Sequence, residues 1–144
     1  MVSNRRIDVY SHAESDRLRF TLIAKLCCDA LESMMIRVFV SHRFSEDPTA
    51  NQFAVATISR GLALDGVLPI APQIYLPQFI READERDLAL KLCLHLVRLV
   101  DVMKVHGRVS DGMRLEIAEA RRLGIPVVAG DAVAEMALTG EPPR

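Results

Sequence analysis

The segment best suited to chemistry is Ser110-Asp111-Gly112-Met113-Arg114-Leu115-Glu116. A serine and a glycine open a helix there, and a carboxylate follows about one and a half turns later. At roughly 100° per residue, Met113, Ile117 and Ala120 share one face and form a core stripe. Glu116 lies at the edge of that stripe, whereas Arg114, Glu119 and Arg122 project further away. A carboxylate beside an apolar stripe is costly unless something uses it. Glu116 is not the acid of a capping box, which would need Ser or Thr at position 113. Two readings stand side by side: a functional carboxylate, or a boundary Glu paired with a nearby Arg.

Other residue types offer less. His12, His42, His95 and His106 show no metal-ligand spacing and the cysteines no CxxC, so neither a metal nor another cofactor is expected. His95 falls mid-helix, while His42 and His106 fall at strand ends, where a functional role stays open. Cys93, in Leu92-Cys93-Leu94, reads as a small core residue. Asp101 reads as a turn or cap residue. Dinucleotide and P-loop fingerprints are missing, and so is a GxSxG elbow. Asp87 belongs to a charged run, 81–87, that reads as a solvated face. Tyr75 and Phe79 read either as lid residues over a flat ligand or as plain core.

Positioning these groups needs a repeated strand–helix frame. Strands are predicted at 36–41, 67–71, 100–105 and 125–128. A helix over 50–64 is expected to turn Phe53, Val55, Ile58, Leu62 and Leu64 inward. A second, over 84–100, is expected to be capped by Asp84 and to bury Leu88, Leu92, Leu96 and Leu99 or Val100. Further helices are expected at 111–123 and, capped by Asp131, at 131–138. Residues 73–83 read as irregular. Such βα units imply an α/β, Rossmann-like (flavodoxin-like) parallel sheet with helices on both faces, a single domain over 35–138. Ligands in such sheets bind at the carboxyl ends of the strands. Those ends bring Ser41, Phe44, Gln73, His106 and Ser110 toward one cleft, with Glu116 facing it. Residues 1–34 read as a mostly helical extension, with an amphipathic helix over 16–34 and an edge strand at 7–10. Residues 139–144 read as a disordered tail.

Composition narrows the class. The chain has 144 residues, half of them hydrophobic, and a net charge of −1. That suits one domain with a sizeable core and gives no electrostatic footprint for nucleic acid. No apolar run is long enough to span a membrane, and Arg5-Arg6 leads into no apolar signal region. Three cysteines, two of them adjacent, build no disulfide framework, so a reducing cytoplasm is expected.

Val67-Leu68-Pro69-Ile70-Ala71-Pro72, Leu76-Pro77-Gln78-Phe79, Asp101 with Gly107, the Ser110-x-Gly112-x-x-x-Glu116 element and Gly124-Ile125-Pro126-Val127 together resemble the nucleoside 2-deoxyribosyltransferase-like superfamily. The nearer match is its small, largely uncharacterised bacterial and phage branch. The resemblance spans about residues 36–129. It implies cleavage or exchange of the N-glycosidic bond of a nucleoside or nucleoside 5′-monophosphate. Glu116 would be the nucleophile, Asp87 the acid that assists the base, and Ser110, with Gly112, a phosphate or sugar contact. Ser41, Phe44 and Gln73 would complete the substrate pocket. The chain departs from the pattern after its first strand, where Ser41-His42-Arg43-Phe44 replaces a Gly-Pro loop. It departs again at Gln73, where relatives carry His. Val38-Phe39-Val40-Ser41-His42-Arg43 is also similar to the first strand of Toll/interleukin-receptor-type domains, some of which cleave NAD with a Glu. The alternatives are therefore a non-catalytic nucleotide-sensing module of the same fold and an NAD glycohydrolase.

The resemblance also implies a homo-oligomer, and the leucines between 88 and 99 exceed one core's needs. A dimer is the expected species. Light scattering at micromolar concentration checks this, and a monomer would contradict it.

Overall fold

The structure is a computed structural model that describes residues 19–27, 30 and 35–140. The chain divides into two units, Met1–Met35 and Ile36–Arg144. In the first, residues 19–27 are helical; the expected strand at 7–10 and the ends of the expected 16–34 helix lie outside the described residues.

The described residues of the second unit hold four strands, β1 (Arg37–Ser41), β2 (Leu68–Ile70), β3 (Val102–Val105) and β4 (Val127–Ala129). They form one all-parallel sheet in the order β2-β1-β3-β4. Between and after them come α1 (Pro48–Leu64), α2 (Pro72–Tyr75), a 3-10 turn (Leu76–Gln78), α3 (Glu82–Val97), α4 (Asp111–Arg122) and α5 (Ala132–Thr139). This is the Rossmann-like α/β architecture that the alternation of elements implies.

Strand alternation divides the core. Phe39, Met103 and Val105 pack with Val97 of α3, Met113, Ile117 and Ala120 of α4, and Ala134 of α5. Val40 packs with Val55 of α1 and with Ala71, flanked by Ile58 and Leu62. Helices therefore cover both faces of β1, whose apolar run Val38-Phe39-Val40 is buried throughout. At the opposite end, Asp101 is more than a turn residue. It accepts from the Arg37 backbone N–H at 2.8 Å and from its guanidinium at 2.8 and 3.1 Å, tying the starts of β1 and β3. Those bonds pull its carboxyl down to about 2.

Three helical expectations need correction. Phe53 and Leu64 are exposed, 75% and 73%. At about 100° per residue they fall opposite the Val55–Ile58–Leu62 face, so apolar character alone misplaces them. α3 begins at Glu82 rather than Asp84, and Asp84 does not cap it. Instead Glu85, itself non-helical, turns its carboxylate back to accept from the Arg81 N–H at 2.8 Å. Leu88 and Leu99 face solvent, while Cys93, Leu96, Val97 and Val100 pack inward. The segment expected to be irregular contains α2 and the 3-10 turn, because Pro72 opens the one and Pro77 stands second in the other, each with its φ pre-set for a helical turn. Thr139 and Gly140, the described part of the expected tail, close α5, with Gly140 in the left-handed region at φ 73°.

Asp131 caps α5 by accepting from Ala134 N–H, and its second oxygen accepts from Gly107 N–H, both at 2.8 Å. This fastens the loop after β3 to the helix after β4. His106 is buried in that junction, and its ring lies where a Cβ on Gly130 would stand. Gly130→Ala is therefore expected to cost about 1–3 kcal/mol of stability by overpacking. Urea denaturation checks it. With His106→Ala in the same chain the glycine substitution should cost markedly less, since the obstructing ring is gone.

Candidate active site

The strand order places β1 and β3 side by side, with the chain leaving β1 toward β2 and leaving β3 toward β4. Their carboxyl ends form the kind of crevice where open parallel sheets bind ligands. A cavity of about 220 Å³ lies there, walled by His42 and Phe44 after β1, Pro72 and Gln73 of α2, the first half of α3, and the start of α4. Glu116 lines it, with 7% of its surface exposed.

Glu116 is carried inward by the stripe that sequence periodicity indicated: Met113, Ile117 and Ala120 are buried beside it. Ser110 caps the helix, its Oγ accepting from Met113 N–H at 3.4 Å. The Ser110 N–H in turn points at the Met113 sulfur, 3.5 Å away. Methionine thus takes the place a Glu or Gln holds in a capping box, and Glu116 stays out of the cap.

No cation pairs with Glu116 among the described residues. Arg98 and Arg122 both engage Glu119 instead, at 3.1 and 2.8 Å, and hold its carboxyl down near 2. The partner of Glu116 is Ser41, whose Oγ donates to Oε2 at 2.7 Å. Burial pushes the Glu116 carboxyl up to about 7, against the opposing pull of Ser41 and the Cys93 thiol. The boundary-Glu reading, which needs an Arg partner, does not describe this residue.

The structure brings Glu116, Asp87, Phe44, Gln73, Ser110 and Gly112 to one cavity. Ser41 stands apart from that set: it is wholly buried behind Glu116 and does not line the cavity. Gln73 is also buried, its amide N–H groups donating to the Val40 and His42 carbonyls at 3.2 and 2.9 Å, which ties α2 to the end of β1. Its side-chain oxygen has no hydrogen-bond partner among the described residues. His106 does not reach the cavity. Tyr75 and Phe79 are neither lid nor core: they are partly exposed, lean on each other with ring centroids 6.3 Å apart, and miss the cavity.

Three lining residues went unread. Glu82 and Arg86 sit with Asp87 in the charged run that reads as solvated, and α3's spacing turns part of that run onto the cavity mouth. Cys93 is not only packing; it lines the cavity beside Glu116, and its thiol is pushed up to about 12, chiefly by burial. Glu82, Arg86, Ala89, Leu90 and Cys93, at i, i+4, i+7, i+8 and i+11, share one face of α3, and that periodicity is the signal that could have found them.

A small parallel sheet with an acidic cleft at the β1–β3 switch defines the class. The fold is nucleoside 2-deoxyribosyltransferase-like. A 2-deoxyribosyltransferase from Bacillus psychrosaccharolyticus superposes with a TM-score of 0.52 at 18% identity, over 69% of this chain and 78% of that one. A conserved protein from Enterococcus faecalis V583 superposes with a TM-score of 0.53 at 21% identity, over 66% and 62%. No curated protein matches the sequence. The chain belongs to the family described as domain of unknown function DUF7768, whose model matches residues 36–129. No helix among the described residues is long and apolar enough to cross a membrane.

A buried carboxyl raised to about 7 from 4.5 makes a signed prediction. Below the unfolded value both states are protonated and the burial costs little. Between about 4.5 and 7 the unfolded chain ionises while the folded one keeps its proton, so stability falls as pH rises and levels off above 7. Glu116→Gln removes this penalty and leaves Ser41 an acceptor. The variant should gain up to about 3 kcal/mol over wild type at pH 8. The gain should shrink toward zero near pH 4.5. Urea titrations at the two pH values check it, and a pH-independent difference would contradict it.

Proposed function

We propose that this protein breaks or exchanges the N-glycosidic bond of a nucleoside or nucleoside 5′-monophosphate, with Glu116 as nucleophile. The observation that carries the reading is a cation-free, buried carboxylate lining a cleft at the ends of β1 and β3. A structural Glu is normally neutralised by a partner, as Glu119 is on the same helix.

The chemistry follows from the residue types. Ionised Glu116 attacks C1′ of the sugar, and the C1′–N bond breaks with its electron pair leaving on the base. The carboxylate stabilises the oxocarbenium-like sugar and then captures it as an ester, as in retaining glycosidases. The departing base takes a proton, for which Asp87 at the cavity wall is the proposed acid. Water, or a second base, then attacks C1′ and releases Glu116. Ser110 and the free amides at the start of α4 are the proposed contact for a sugar hydroxyl or a 5′-phosphate. Phe44, Gln73 and Gly112 shape the remaining wall. A carboxyl that loses its proton near 7 gives this reaction an acid limb: the rate rises as pH rises through that value.

A screen of nucleosides, nucleoside 5′-monophosphates and NAD for free-base release tests the proposal. On whichever substrate is cleaved, Glu116→Gln is expected to lower kcat by about three or more powers of ten, and Asp87→Asn by about two. Retention of more than about a tenth of the rate in Glu116→Gln would remove the nucleophile assignment. Binding of the same compounds with no base release would favour a nucleotide-sensing module.

A further inference from the structure

We infer that Ser41 is a positioning residue for Glu116: a hydroxyl from the end of β1 holds the carboxylate at the cavity wall, where the Cys93 thiol of α3 stands as its neighbour. The inference rests on the functional reading above and extends it to Ser41, which does not line the cavity. Ser41 is wholly buried, and its hydroxyl donates to Oε2 of Glu116 at 2.7 Å. β1 holds it rigidly: the Ser41 carbonyl accepts from His106 N–H at 2.9 Å, and the residue is in register with Val105 of β3. Cys93 lines the cavity together with Glu116, and its thiol, like the Ser41 hydroxyl, opposes the upward push that burial gives the carboxyl.

A buried carboxylate with no cation has only such neutral donors to hold its charge and its rotamer. A hydroxyl and a thiol stabilise the anion without trapping it in an ion pair, which leaves it free to attack. Burial favours the protonated acid, and both donors oppose that. The other titratable groups around the cavity are His42 after β1, Glu82, Arg86 and Asp87 of α3, and Asp111 of α4. None of them is an ion-pair partner of Glu116 among the described residues, so the two donors are its nearest levers.

The test reads the ionisation of Glu116 itself. The full chain is labelled with glutamate carrying carbon-13 at the side-chain carboxyl. The Glu116 signal is assigned by its loss in Glu116→Gln, then titrated by NMR. In Ser41→Ala the midpoint should move up by about one pH unit, and in Cys93→Ala in the same direction by less. Ser41→Cys, which keeps a weaker donor of similar size, should fall between wild type and Ser41→Ala. It also serves where the alanine variant folds poorly. With a cleaved substrate in hand, the acid limb of the rate should follow the same order, so that Ser41→Ala loses about tenfold below the limb and recovers at high pH. Unchanged midpoints in all three variants would overturn the inference, as would a loss of rate equal at every pH. The carboxyl titration does not depend on turnover. A wild type that releases no base therefore sinks the proposed function while this test still decides the role of Ser41 and Cys93.

Discussion

The interaction on which the site depends is the hydrogen bond from Ser41 to Glu116. It joins the end of the central strand to the inner face of α4, and it is the direct partner given to a buried negative charge. An ion pair there would have been the cheaper solution for folding, and Arg98, Arg114 and Arg122 all lie on or near α4. The fold sends Arg98 and Arg122 to Glu119 and Arg114 toward Asp111. Glu116 is left half-committed to its proton near neutral pH, a state with little value in a core and considerable value in a nucleophile or proton carrier.

Topology makes this arrangement available. β1 and β3 are neighbours, yet they are separated in sequence by α1, β2, α2 and α3. The crossover from β2 to β3 carries α2 and α3 past the end of β1, so Gln73, Asp87 and Cys93 arrive at the same opening as Ser110 and Glu116. Gln73 then seals the approach by bonding the carbonyls of Val40 and His42. Behind the opening, the Asp131 cap and the His106–Gly130 contact hold the end of β3 still. The rigid parts are strands and caps, and the wall they support is loop and short helix, the usual division of labour in α/β sites.

Much of this was legible in the residues alone. The alternation of short β-branched runs with amphipathic stretches determined four parallel strands and the helices between them, because local burial patterns follow the 2- and 3.6-residue periods directly. The Met113–Ile117–Ala120 stripe determined that Glu116 faces inward, and Ser110 announced the start of its helix. Tertiary structure alone decided the rest. Whether Glu116 meets an arginine or a serine depends on contacts between residues distant in the chain, and no spacing encodes them. Cys93 and Glu82 moved from core and solvated face to cavity wall because one face of α3 lines the same opening as the start of α4. Phe53 and Leu64 stayed outside because the angle around a helix, not hydrophobicity, decides burial. The sequence thus determined which carboxylate is out of place, through local periodicity; the fold decided what holds it there, because a partner from the end of β1 is supplied only when the sheet has closed.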